Sequence, residues 1–291
     1  MVMRRIFILW LAAATLACGP LYGQAPKRIV STAPSITELL YALGLGDRLV
    51  GVDRFSRYPP EALQKPRIGD YVNPNLEAIA ALRPDLVIIP VNPVKLAERL
   101  AVLRLKVLEI DQDSLTKLYE SFRVIGQATG AAAQADKLAS TVRTQLETVR
   151  MRAAPLKKTR MMFVVGRTPN RLDGLIVVGQ ASYLNEIIAL AGGENVFRDA
   201  VASYPGVSLE EVLARNPDVI VDMGDMADTV GVTDAHKREV TSLWERLSSV
   251  AAVKQHRVYA VASDIYVQPG PRVVDAAKAF LEMLHPEAKG K

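Results

Sequence analysis

Short runs of branched apolar residues, each bounded by turn-forming residues, recur along the whole chain: 29–32, 49–52, 86–89, 107–110, 161–165, 175–178, 219–221 and 258–261. Runs of that length predict strands. Between them apolar residues fall three and four apart, as in Ile36, Leu39, Leu40 and Leu43, the spacing that gathers side chains on one face of a helix. Strand and helix alternate, so the chain reads as an α/β protein with mainly parallel sheets. Residues 114–154 break the rhythm. They carry no strand signal, and 131–152 is rich in Ala, Gln, Lys, Leu and Arg, all good helix formers. One helix of that length spans about 33 Å, enough to bridge two lobes, and Pro155 stops it. A long surface helix on a single domain has the same pattern.

An internal repeat favours two lobes. Residues 76–88 align without a gap with 209–221, 133 residues later; five of the 13 positions are identical and four more exchange one branched aliphatic for another. One copy lies on each side of the helical segment. Asn75 and Ser208 are good N-caps, Ser208 with Glu211 predicts a capping box, and the Pro-Asp pairs 84–85 and 217–218 end a helix ahead of a buried strand. Glu77 and Glu210 then take equivalent places in a first helical turn. Stabilisation of a carboxylate by the helix dipole accounts for either one singly; two equivalent acidic knobs also suit docking onto a two-fold partner with basic pockets.

The composition is globular: 291 residues, 49% hydrophobic and 23% charged. Residues 1–23 read as an export leader, with Arg4 and Arg5 ahead of the apolar stretch 6–17 and a small residue, Gly23, before Gln24. That stretch is shorter than the roughly 20 residues a spanning helix needs; a retained membrane anchor is the alternative. Without the leader, 34 Lys+Arg stand against 31 Asp+Glu. A charge of +3 gives no case for nucleic acid. Cys18 is the single cysteine, so the exported chain has no disulfide; lipid attachment at Cys18 is less favoured, because the leucine that lipoprotein leaders prefer three places upstream is missing.

The segments Arg28-Ile-Val-Ser-Thr-Ala-Pro-Ser-Ile-Thr-Glu38, Gly44-Leu-Gly-Asp47 before Val50-Gly-Val52, Tyr58-Pro-Pro60, Gly69-Asp-Tyr71, Asn75-Leu-Glu77, Arg83-Pro-Asp85, Gly192-Gly-Glu-Asn-Val-Phe197 and Pro271-Arg272 resemble the substrate-binding proteins of ABC importers for cobalamin, siderophores and haem. The likeness runs from Arg28 to about Leu284 and is nearest to the cobalamin-binding branch. The resemblance implies two α/β lobes joined by a rigid backbone helix, with the ligand in the cleft between them. It also implies that Glu77 and Glu210 salt-bridge to arginines on the two subunits of a permease dimer in the inner membrane. The expected organisation is 1–23 leader, 24–130 N-terminal lobe, 131–155 interlobe helix and 156–291 C-terminal lobe, in a monomeric periplasmic protein.

For the ligand, Phe55, Tyr58, Tyr71, Tyr204 and Tyr266 lie in loop-like stretches near strand ends, where open α/β sheets place their ligands, and aromatic rings cover wide flat faces. Tyr58, Tyr71 and Tyr204 match aromatic contact positions of the cobalamin branch, although Tyr71 and Tyr204 stand where tryptophans are expected; Asp264 and Arg272 match family positions too. Arginine is the competing signal. Arg54, Arg57, Arg67, Arg167, Arg171 and Arg272 fall in or near the same loops, and guanidinium forks suit carboxylates. The expected ligand-contact set is Phe55, Tyr58, Tyr71, Arg167, Tyr204, Asp264, Tyr266 and Arg272. The expected cargo is a corrinoid, with haem or a ferric siderophore as alternatives, and no resident cofactor.

Two other classes trail. A bare-metal carrier needs converging His and carboxylate ligands, whereas His236, His256 and His285 are scattered. For an enzyme, no phosphate loop, Gly-x-Ser-x-Gly elbow or cysteine nucleophile is present outside the leader; an exported hydrolase with dispersed Asp and His residues is the remaining member of that class.

Overall fold

The computed structural model describes residues 25–70, 72–91, 95–224 and 233–288. The leader, Cys18, Tyr71 and the C-terminal three residues lie outside the described residues. The first lobe holds β1 (Ile29–Ser31), α1 (Pro34–Ala42), β2 (Leu49–Val52), α2 (Leu76–Ala81), β3 (Leu86–Pro90), α3 (Leu96–Val102), β4 (Val107–Ile110) and α4 (Leu115–Thr129). Its four strands form one parallel sheet in the order β2-β1-β3-β4. Next comes α5 (Ala132–Ala153), 22 residues long, which falls within the 131–155 segment and ends two residues before Pro155.

The second lobe follows with β5 (Thr159–Gly166), β6 (Leu175–Val177), α6 (Tyr183–Leu190), β7 (Gly193–Asn195), β8 (Gly206–Val207), α7 (Leu209–Arg215), β9 (Val219–Asp222), α8 (Asp234–Glu245), α9 (Ala251–Lys254), β10 (Val258–Ala260) and α10 (Val273–Leu284). Its sheet runs β10-β9-β5-β6-β8 and is mixed rather than parallel throughout: β6 is antiparallel to both β5 and β8. The eight-residue β5 has room for two partners on one edge, β7 along 159–161 and β6 beyond Val164. The pattern of apolar positions does not predict β7 and β8, because strands of two or three residues containing Gly are too short to alternate.

The repeat is a structural unit. Asn75 Oδ1 accepts from the Ala78 N–H at 2.9 Å; Ser208 Oγ accepts from the Glu211 N–H at 3.3 Å while Glu211 Oε2 accepts from the Ser208 N–H at 2.8 Å, the reciprocal box the sequence predicts. Each helix ends in the left-handed region, at Arg83 (φ 45°) and Asn216 (φ 43°). The aspartates then clamp the first strand of their own lobe. Asp85 Oδ2 accepts from the N–H groups of Lys27 and Arg28 at 2.8 and 2.9 Å, and Asp218 Oδ2 from that of Arg160 at 3.3 Å. The side chains of Arg28 and Arg160 satisfy the last carbonyls of the two helices, Leu82 and Arg83 in one lobe and Arg215 and Asn216 in the other. Those carbonyls have no helical partner of their own, so the same arginine solves the same problem twice.

One hydrophobic core runs through both lobes. Along β3 the even residues Leu86 and Ile88 face it, and Val87 and Ile89 face a smaller outer cluster with Leu96 and Leu100; along β5 Met161, Phe163 and Val165 face it, and Met162 and Val164 face an outer cluster with Trp244. Alternate residues of a strand point to opposite faces, so each sheet has an inner and an outer layer. The inner layers meet on α5, whose buried residues Ala135, Val142, Leu146, Val149 and Ala153 form one stripe and share a core with Phe122 of α4 and Phe280, Leu281 and Leu284 of α10. No helix among the described residues is long and apolar enough to cross a membrane. Leu146→Ala should cost about 2–5 kcal/mol, and since the core is shared, amide exchange in β1 and β5 should accelerate together; acceleration confined to one lobe would show that α5 does not couple them.

Candidate functional site

Segments that follow the carboxyl ends of β1, β2, β4 and β10 bring side chains of the two lobes together, the end of the strands at which α/β sheets present loops to ligands. Among the described residues hydrogen bonds join the lobes there at two places: the Leu115 N–H donates to Glu186 Oε1 at 3.0 Å, and Arg272 makes a two-point pair with Glu38, 234 residues away in sequence.

On the first lobe, the loop after β2 is held from below. Buried Asp53 accepts from the Phe55 N–H at 2.9 Å and from the Ser56 hydroxyl, and the Thr37 hydroxyl lies 2.8 Å from those of both Ser31 and Ser56. Arg67 Nη1 donates to the carbonyls of Asp53 and Ser56 at 2.9 and 2.8 Å. Burial pushes the Asp53 carboxyl up, against the pull of those hydrogen bonds. With its polar groups fixed inward, the loop turns Phe55 and Tyr58 outward, 38% and 45% exposed.

On the second lobe Tyr204 is 43% exposed; its hydroxyl lies against Ser182, the N-cap of α6, and burial of that end raises its pKa. Arg272 stands at the start of α10, between Asp264 (Nη2 to Oδ2, 2.7 Å) and Glu38 (Nε to Oε2, 2.9 Å, with a second contact from Nη2 to Oε1). Its guanidinium lies 4.0 Å from the centre of the Tyr58 ring, within cation–π range. Burial works against the charge of Arg272, and the hydrogen bonds of Glu38 and Asp264 outweigh it, raising its pKa. Burial pushes the Glu38 carboxyl up, with Arg272 opposing. A cavity of about 580 Å³ runs from Tyr58, Arg272 and Glu38 along α1, past Tyr41 and Glu61, to Gln145 on α5.

The structure thus brings Tyr58, Asp264 and Arg272 together, and leaves Phe55 and Tyr204 exposed on the loops of either lobe. It places two expected contacts elsewhere. Tyr266 is 6% exposed and packs edge-on against Phe163 with ring centres 5.9 Å apart, beside Phe280 at 5.5 Å; burial pushes its hydroxyl up to about 12. It is a core ring, because the short 3₁₀ turn 264–266 folds it back under α10. The Arg167 side chain is 1% exposed and pairs with fully buried Asp222 at 2.9 Å, which also accepts from Trp244 Nε1 at 2.7 Å. It neutralises a carboxylate inside the second lobe and offers no surface to a ligand. Tyr71 lies outside the described residues.

Glu38 is not among the expected contacts, yet the sequence carries a signal for it. It is a carboxylate within a run, 35–40, whose spacing buries every residue, and a buried carboxylate requires a cation. Glu77 and Glu210 are exposed at the second position of α2 and α7. Both helices start at the carboxyl end of their sheet, since Asn75 N–H binds the Ile68 carbonyl beside β2 and Val207 pairs with Leu175 beyond the end of β5. The backbone hydrogen bond at Glu210 and the Ser208 hydroxyl lower the Glu210 carboxyl below its ordinary range. Of the histidines, His285 is buried beside Glu287 at 3.5 Å and Nε2 of His236 is buried without a partner among the described residues. No group of His, Cys, Asp and Glu among the described residues is arranged to hold a metal ion.

The chain is 31% identical over 270 residues to the uncharacterised ABC transporter substrate-binding lipoprotein YvrC of Bacillus subtilis, covering 91% of this chain and 82% of that protein. Among solved structures, the periplasmic vitamin B12 binding protein BtuF of Vibrio cholerae superposes with a TM-score of 0.75 at 28% identity, covering 92% of this chain and 99% of the other. The periplasmic heme-binding protein RhuT from Roseiflexus sp. RS-1, in apo form, matches with a TM-score of 0.75 at 27% identity over 90% and 99%. The family model described as periplasmic binding protein matches residues 29–265. With two α/β lobes, a bridging helix and a cleft at the carboxyl ends of both sheets, the chain belongs to the periplasmic binding protein family.

Proposed function

We propose that this protein is the exported substrate-binding component of an ABC importer and that its cargo is a corrinoid of the cobalamin type, handed to a permease dimer. Family membership and the likeness to YvrC support the importer role; the likeness to the Vibrio cholerae protein supports the corrinoid.

The observation that carries the choice of ligand is the fate of the arginines. Of the six in the cleft-side loops, five are committed to protein partners: Arg54 to Asp70 at 3.3 Å, Arg67 to two carbonyls, Arg167 to Asp222, Arg171 to Asp173 at 2.6 Å, and Arg272 to Glu38 and Asp264. Arg57 alone has no such partner among the described residues. A haem with two propionates or an anionic siderophore rewards free guanidinium groups; Arg67, Arg167 and Arg272 are held by buried or part-buried protein partners, while Arg54 and Arg171 sit in exposed pairs that hold weakly. The exposed rings of Phe55, Tyr58 and Tyr204 suit a broad, uncharged macrocycle whose rim carries neutral amides. Glu77 and Glu210 are the docking carboxylates in this reading, one per lobe at the same place in the repeat.

Three measurements follow from this assignment. Calorimetric titration with cyanocobalamin, haemin and a ferric siderophore should give saturable binding for cyanocobalamin and weaker or no binding for the other two; a preference for haemin would overturn the corrinoid assignment while leaving the importer role. Tyr58→Ala and Tyr204→Ala should each weaken cyanocobalamin binding roughly tenfold, the loss typical of an aromatic anchor, and an unchanged Kd in both would remove those rings from the site. Combining Glu77→Lys with Glu210→Lys should abolish uptake by cells and leave Kd within about twofold, as surface charges remote from a ligand contribute little to its binding; lost affinity with intact uptake would contradict the docking role.

A further inference from the structure

The charge count at the cleft mouth leaves one residue to explain. Arg272 already has a carboxylate in its own lobe, Asp264, eight residues before it and 2.7 Å from Nη2. That pair is neutral without help. Glu38 nonetheless crosses from the first lobe, its side chain 3% exposed, and removing a carboxylate from water costs several kcal/mol unless the geometry returns it. Neutralisation does not require Glu38; orientation does.

The fork it makes is specific. Glu38 takes Nε and Nη2 of the guanidinium, Asp264 takes Nη2 as well, and Nη1 has no partner among the described residues. A guanidinium gripped along that edge keeps one flat face free, and that face lies over Tyr58 at 4.0 Å. Glu38 is itself buried against the turn before α10: a Cβ on Gly270 would stand 3.5 Å from its Oε2, an ordinary contact distance. Asp275 in the first turn of that helix and Asp264 oppose it, and Arg272 is the cation that faces it.

We propose that Glu38 is a positioning residue that acts through Arg272: it draws the guanidinium across the cleft mouth, seats it on Tyr58, and so latches one lobe to the other with Nη1 left to donate to the ligand. With two carboxylates around it Arg272 carries no surplus positive charge, so Nη1 serves a neutral acceptor, such as an amide oxygen, better than a carboxylate. The inference rests on the cleft being the ligand site, as proposed above.

The test has two readouts, one without ligand. In the ligand-free protein, Glu38→Gln should speed amide exchange at 55–58 and 272–275 and leave the middle of β1 and β5 unchanged; unchanged exchange at 272–275 overturns the latch whatever the ligand is. In cyanocobalamin titrations, Glu38→Gln should weaken Kd about tenfold in the native background and less than about twofold when Arg272 is already Met, the signature of a residue acting through another; equal losses in both backgrounds overturn the positioning role. Should Glu38→Gln fold poorly, the apolar pair Glu38→Leu with Arg272→Met removes the interlobe ion pair and leaves Asp264 unpaired as in Arg272→Met alone, so it should bind no worse than that single variant; a further loss in the pair overturns the proposal. Absence of cyanocobalamin binding by the native protein would sink the ligand assignment and leave the exchange result to decide the latch.

Discussion

The structure depends on a stripe of five apolar residues on α5. Ala135, Val142, Leu146, Val149 and Ala153 are small or medium-sized and fall on one face, so the inner layers of two separate sheets close on the same helix. Burial of apolar surface is the dominant favourable term in folding; when two lobes share it, neither can swing away without exposing part of it. In the proposed receptor such a joint would hold the loops on either lobe near their binding arrangement before the ligand arrives, and preorganisation of that kind lowers the entropy cost of binding.

Pseudo-symmetry explains how one chain comes to carry two equivalent carboxylates. The repeat conserves a mechanical solution: an N-cap, an acidic residue in the first turn, a left-handed end, and a Pro-Asp that clamps the first strand of its lobe while an arginine covers the open carbonyls. Glu77 and Glu210 inherit their places from that solution. In the docking role proposed above, their place at the carboxyl ends of both sheets would give a two-fold partner one carboxylate on each lobe.

Much of this was legible in the sequence, for reasons that can be named. All eight expected strands form, because each is a run of branched apolar residues long enough to declare itself, α5 is a stretch without a breaker between Gly130 and Pro155, and the capping box at Ser208 is local chemistry. What could not be read depends on distant partners. The burial of Tyr266 is decided by Phe163, 103 positions earlier, and that of Arg167 by Asp222 and Trp244; a loop position alone does not tell an anchor from a core ring. β8 is invisible because a two-residue strand has no period, and the apolar run at 175–178 marks β6 as a strand without telling its antiparallel direction. Glu38 is the instructive case: its spacing puts it inside, its charge forbids it to be there alone, and its partner lies 234 residues away.

Exposed rings on both lobes, beside loop arginines that mostly have protein partners, are the physical basis for proposing an uncharged macrocycle. The most direct measurement is a crystal structure of the protein saturated with cyanocobalamin. The account predicts the corrin ring between the lobes with Tyr58 and Tyr204 against it, Nη1 of Arg272 on a peripheral amide oxygen, and the Glu38 fork intact. A ligand lying outside the interlobe cleft, or one bound with Arg272 released from Glu38, would contradict it.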